Sequence, residues 1–151
     1  MPKIDVVDEA VIDAPPMAVY SAILDVYAGV TQLFMPGLES KLRGDKAIDC
    51  EGAICDVTGH SHGLSTKFSL KVTKVEQGKS IEFEFSGDFL GNEKWTFEPT
   101  ANGATHVALH YVGGTNRLLF SILSPFVNPT KEHSKAIQNG LKACNSYLCK
   151  K

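Results

Sequence analysis

No stretch of this 151-residue sequence is long and apolar enough to cross a bilayer. The most apolar run, Leu118 to Val127, is interrupted by Ser121, Ser124 and Pro125, whereas a span needs about 20 residues. Stable membrane insertion is not expected. The first residues, Met1-Pro2-Lys3-Ile4-Asp5, lack the basic start, apolar stretch and small-residue cleavage site of a secretory signal, so a cytoplasmic location is the expectation. Charge of either sign is nearly balanced, with 15 Lys+Arg against 17 Asp+Glu, which does not suit a polyanionic partner, and no nucleic acid is expected. The four cysteines, Cys50, Cys55, Cys144 and Cys149, lack the spacing of redox or paired zinc motifs. On a helix, Cys144 and Cys149 would be five steps of about 100° apart and could not easily chelate together. Reduced thiols in packing roles follow. There is no G-x-S-x-G elbow and no phosphate-binding glycine loop; Gly113-Gly114-Thr115-Asn116 lacks the lysine and the spacing. No cofactor is expected.

What the sequence does have is alternation. Val6, Asp8, Ala10 and Ile12 interleave with Val7, Glu9, Val11 and Asp13, and Ala14 precedes two prolines, which predicts a strand that stops there. Pro15 and Pro16 can open a helix, and Val19, Tyr20, Ile23 and Leu24 follow at helical spacing, giving a short helix ending near Asp25. A second short helix is predicted between Tyr27 and Phe34, closed by Met35-Pro36-Gly37.

Beyond Gly37 the breaks are turn-like, at Gly44-Asp45, Gly59 to Gly63, Gln77-Gly78-Lys79, Gly87 to Gly91 and Asn102-Gly103. Between them Phe68, Leu70 and Val72 alternate with polar residues, as do Ile81, Phe83 and Phe85, then Trp95 and Phe97, then Val107, Leu109 and Tyr111. Each strand therefore has one apolar face, and the short turns imply an antiparallel meander. A short apolar helix is expected around Leu118 to Leu123. In the last segment Ile137, Leu141, Cys144 and Leu148 step by four, three and four, the stripe of a long helix laid on the sheet. No linker or repeat interrupts the chain, and residues 1–151 are expected to form one α+β domain.

This order resembles the START-like (SRPBCC) superfamily, which includes polyketide cyclase/dehydrase-like and lipid-transfer proteins. The resemblance is carried by Val11-Ile12-Asp13-Ala14-Pro15-Pro16-Met17-Ala18-Val19-Tyr20, by Phe34-Met35-Pro36-Gly37-Leu38, and by Trp95-Thr96-Phe97-Glu98-Pro99. It implies a helix-grip fold, in which a curved seven-stranded antiparallel sheet with two short helices grips the long C-terminal helix. It also implies a cavity between sheet and helix, entered near the loops at His60 to Leu64 and Ser86 to Gly91. An empty pocket of about 300 Å³ would cost about 7 kcal/mol, against a domain stability of about 5 to 15 kcal/mol, so such a pocket is expected to be filled.

The expected function is to bind or carry a small hydrophobic molecule. Its lining would be Phe68, Leu70, Phe83, Phe85, Trp95, Leu109, Tyr111, Ile137 and Leu141, although each would be equally natural in a solid core. The alternative is a cyclase or dehydratase acting on an aromatic or polyketide-like substrate, with Tyr111, Asp56 or His133 as acid or base. Alternation on its strand leaves Asp56 inward or outward. A further alternative is an interaction protein, quinone-chaperone-like or cochaperone-like, that presents the Leu118 to Val127 segment; a homodimer is left open. His60 and His62 are two imidazoles on one side of an extended segment, the metal-like pattern of the chain, but no third ligand accompanies them. His106 and His110 fall on the wet face.

Overall fold

A computed structural model describes residues 3–31, 38–61, 63–115 and 129–149. Strand β1 (Lys3–Ile12) ends where the prolines begin. Pro15 is extended, at φ −64° and ψ 154°, and Pro16 opens helix α1 (Pro16–Tyr27), because a first helical residue needs no N–H partner. The helix runs past Asp25 to Tyr27, burying Val19, Tyr20, Ile23 and Leu24 on one side. It stops at Gly29, whose φ of 83° favours glycine. A Cβ there would lie 2.2 Å from the Ser40 carbonyl oxygen. The second short helix is corrected in part: Tyr27 belongs to α1 and residues 28–30 turn, while 32–37 lie outside the described residues. So does the apolar segment Leu118 to Val127.

Among the described residues six further strands follow: β2 (Glu39–Arg43), β3 (Ile54–Ser61), β4 (Leu64–Glu76), β5 (Ser80–Gly87), β6 (Phe89–Pro99) and β7 (Thr105–Thr115). They form one antiparallel sheet in the order β1-β7-β6-β5-β4-β3-β2. Gly78 and Gly103, at φ near 77° and 78°, turn the predicted tight hairpins. The stretch Gly87 to Gly91, expected as a loop, is almost entirely strand. Past the pair Phe85 and Gly91, β5 and β6 part from each other, yet each keeps its outer neighbour: Gly87 pairs with Phe68 on β4, and Phe89 with Thr115 on β7. Asp88 fastens this tip, since its carboxylate accepts the Lys67 N–H at 2.8 Å and its carbonyl accepts the Thr115 hydroxyl at 3.1 Å. The β5–β6 hairpin therefore closes in a short tip, residues 86–90, tied to the strands on both sides.

Alternation sorts the side chains into two faces. The outer face carries charges, with His106 and His110 beside Glu9 and Asp5 at 3.3 and 2.9 Å. The inner face carries Ile12, Ile81, Phe83, Trp95, Phe97, Val107 and Leu109, all buried. Helix α2 (Pro129–Leu148) adds Leu141 and Cys144 to this core, with Ile137 and Leu148 at its margin. Each enclosed aromatic contributes several kcal/mol at about 25 cal/mol per Å² of buried surface. Among the described residues no helix is long and apolar enough to cross a membrane.

Candidate functional site

The nine residues expected to line a site separate into two groups. Leu70, Phe83, Trp95, Leu109 and Leu141 are enclosed at 0 to 1% exposure, and Tyr111 at 2%. Phe68, Phe85 and Ile137 are only half-buried. The half-buried rings lie near the β5–β6 tip, joined by Phe89, which the alternation argument had passed over as part of a loop. Phe68 stacks on Phe85 at 5.6 Å between ring centres and meets Phe89 edge-on at 5.1 Å. Phe85 in turn meets Tyr111 at 5.1 Å, and Tyr111 stacks on His133 of α2 at 4.9 Å. A continuous aromatic row thus crosses from β4 to β7, spanning β6 where Gly91 has no side chain, and reaches the helix.

The hydroxyl of Tyr111 donates to the Leu90 carbonyl at 2.8 Å. Burial, and after it the negative charge of Glu93, push its pKa up, so the phenol stays protonated and is unsuited to act as a base. Gly113 makes room for it, because a Cβ there would lie 2.7 Å from that hydroxyl.

His133 is a more polar contact than its neighbours allow. Among the described residues its Nδ1 has no hydrogen-bond partner, and it lies 3.9 Å from Asp8 Oδ2. Burial pulls the imidazole pKa down and Asp8 only partly opposes this. Asp8, 6% exposed, is held by the Ser134 hydroxyl at 3.1 Å and the Gln138 amide at 3.5 Å. These contacts fasten α2 to β1.

The remaining candidates fall elsewhere. Asp56 as an inward general base is corrected: Cys55 and Val57 take the inner face and leave Asp56 exposed on the outer one. There it accepts hydrogen bonds from Arg43 Nε at 2.9 Å, from Arg43 Nη2, and from Ser69 at 2.7 Å. The Arg43 hydrogen bond, then that of Ser69, hold its carboxyl below the usual range. His60 shares that exposed face, and His62 lies outside the described residues. Among the described residues no three His, Cys, Asp or Glu side chains are grouped to hold a metal ion.

The polar group that matters most on the inner face was not among the candidates. Glu93, 4% exposed, sits between Phe83 on β5 and Tyr111 on β7. The Tyr27 hydroxyl donates to its Oε1 at 2.6 Å, and the Trp95 indole N–H donates to that hydroxyl at 2.9 Å. Burial pushes the Glu93 carboxyl up to about 7, against the lowering effect of Tyr27 and then Trp95. The signal was present in the sequence, because Glu93 shares the parity of Trp95 and Phe97. Asp8 likewise shares that of Ile4 and Ile12.

With the geometry established, comparison with known proteins gives a consistent result. The family model described as polyketide cyclase/dehydrase and lipid transport matches residues 12–136. Among solved structures, a protein of Thermus thermophilus superposes with a TM-score of 0.75 at 18% identity, covering 98% of this chain and 97% of that one. A START superfamily protein of Mycobacterium smegmatis gives 0.73 at 14%, covering 95% and 96%. The ZhuI aromatase/cyclase of a Streptomyces species gives 0.68 at 12%, covering 97% and 93%. These likenesses establish the fold. No curated protein matches the sequence.

Proposed function

Because the chain belongs to the polyketide cyclase/dehydrase and lipid transport family, we propose that it binds a small, mainly apolar molecule between the β5–β6 tip of its sheet and helix α2. The observation that carries this reading is the half-buried aromatic row Phe68, Phe85 and Phe89. Aromatic surface facing the interior yet left uncovered is costly in water, and a ligand that covers it recovers that cost. The fully enclosed Leu70, Phe83, Trp95, Leu109 and Leu141 hold the wall in place. Phe68, Phe85 and Ile137, together with the edge of Tyr111, touch the ligand.

The test begins with native mass spectrometry of gently purified protein, followed by denaturation and identification of any released molecule. Titration with the neutral fluorophore Nile red complements it. One apolar molecule per chain is expected, with Nile red binding saturably and about tenfold more weakly to a folded Phe85→Ala variant. The outer-face variant Val11→Ala should bind as the parent does. Protein that carries no adduct and gives no saturable Nile red signal would sink the proposal.

A further inference from the structure

We infer that the interior selects a lipophilic amine, whose ammonium group is held at Glu93 while its apolar body lies along the aromatic row. This rests on the binding function proposed above and adds the chemistry of the ligand's head.

The argument begins with what polar groups the interior offers. Two carboxyls, Glu93 and Asp8, lie on the inner face, both less than 7% exposed. Every lysine and arginine from Lys41 to Lys142 among the described residues is exposed. The groups facing Glu93 are uncharged or acidic: Tyr27 from α1, Trp95 beside it on β6 and Tyr111 from β7. Cys55 from β3, reaching it through Tyr27, is a thiol whose pKa burial pushes up to about 12. Beyond Tyr111 stand Asp8 and His133, whose imidazole burial keeps below its ordinary value. Among the described residues, a carboxylate or phosphate entering here would meet two carboxyls and no buried cation, at several kcal/mol of cost in a low-dielectric setting.

The two carboxyls are not equivalent. Asp8 already has Ser134 and Gln138 as donors and serves to fasten the helix. Glu93 accepts from the Tyr27 hydroxyl at Oε1, and that hydroxyl in turn accepts from the Trp95 indole, while the strand neighbour Tyr111 belongs to the aromatic row and donates to the Leu90 carbonyl. A head group with N–H donors placed there satisfies the carboxylate and forms a desolvated ion pair, and the rings add cation–π attraction. An alcohol supplies the hydrogen bond without the charge.

Three probes with the same ring system separate these cases: 1-naphthylmethylamine, 1-naphthalenemethanol and 1-naphthoate, titrated calorimetrically into the parent protein. At about pH 8 the amine is expected to bind about tenfold more tightly than the alcohol, with the acid weakest. At about pH 5.5, where Glu93 is protonated, the advantage of the amine should vanish. Near pH 7 the amine should expel protons from Glu93, seen as a dependence of the binding enthalpy on the buffer's ionisation enthalpy. Glu93→Gln, close in size, should abolish the advantage of the amine over the alcohol. Binding of all three with equal affinity, or of the acid most tightly, would overturn the amine assignment and leave the binding function standing. Binding of none would overturn both.

Discussion

Glu93 and Asp8 occupy positions where strand alternation calls for aliphatic side chains, and the chain bears the cost of desolvating both. At the residue scale this is what the sequence conveyed least directly. Parity placed the two carboxyls among Trp95, Phe97, Ile4 and Ile12, but only the fold shows that Tyr27, 66 residues away, supplies the bond to Glu93. Asp56 was undecidable for the opposite reason, since both parities of its strand mix apolar and polar residues. The raised Glu93 pKa has a definite sign in stability. A folded-state value of about 7 against an ordinary 4.5 means that the folded state binds the proton more tightly. Stability is therefore lost as pH rises from about 4.5 to 7, by roughly 3 kcal/mol at most. His133, with its pKa lowered, works oppositely and costs stability as pH falls below its ordinary range. Denaturant unfolding of Glu93→Gln beside the parent isolates the first effect. The variant should gain on the parent between pH 5 and pH 8, and equal differences at the two pH values would refute the assignment.

At the scale of elements, most strands and tight turns were legible, because Gln77-Gly78-Lys79 and Asn102-Gly103 combine glycine at positive φ with alternation on both sides. The Gly87 to Gly91 stretch misled because the same glycines that mark loops also let paired strands bend. Gly91 has a φ of 128° and a Cβ there would fall 2.1 Å from the Val112 carbonyl oxygen. Gly91→Ala must therefore either push β7 away or change its own backbone. A loss of several kcal/mol is expected, at the severe end for single substitutions, read as a lowered Tm in calorimetry. A variant within about 0.5 kcal/mol of the parent would show that the bend does not depend on this glycine. The end of α1 was misjudged by two residues for a simpler reason: its stop signal is Gly29, and Ser40 comes close to it only once β2 is in place.

For the whole molecule, the α+β class and the antiparallel meander followed from hydrophobic periodicity and turn residues, while the helix-grip arrangement was legible only through family resemblance. Periodicity gives the face of a side chain but not its depth, so it could not separate enclosed Phe83 from half-open Phe85. Depth depends on how near a side chain lies to the β5–β6 tip. If the β5–β6 tip is the binding place, ligand should reduce motion there and not throughout. Amide exchange with and without Nile red is expected to slow around Phe85 to Gly91 and in the first turns of α2, with the β1–β7 pairing unchanged. Uniform slowing would point to global stabilisation instead.

The pairing of β1 with β7 also has a consequence for how the protein is made. Asp5 and His110 stand side by side although 105 residues separate them, and among the described residues β7 is the only strand partner of β1. At ribosomal rates of about 5 to 20 residues per second, β1 leaves the ribosome roughly 5 to 20 seconds before β7 does. For that interval Ile4 and Ile12 have no sheet to join, and the strand's unpaired edge is a site for chaperones or for misassociation. Native order can be completed only once nearly the whole sheet has been synthesised, and β1, made before the strand it pairs with, is among the last to find its place.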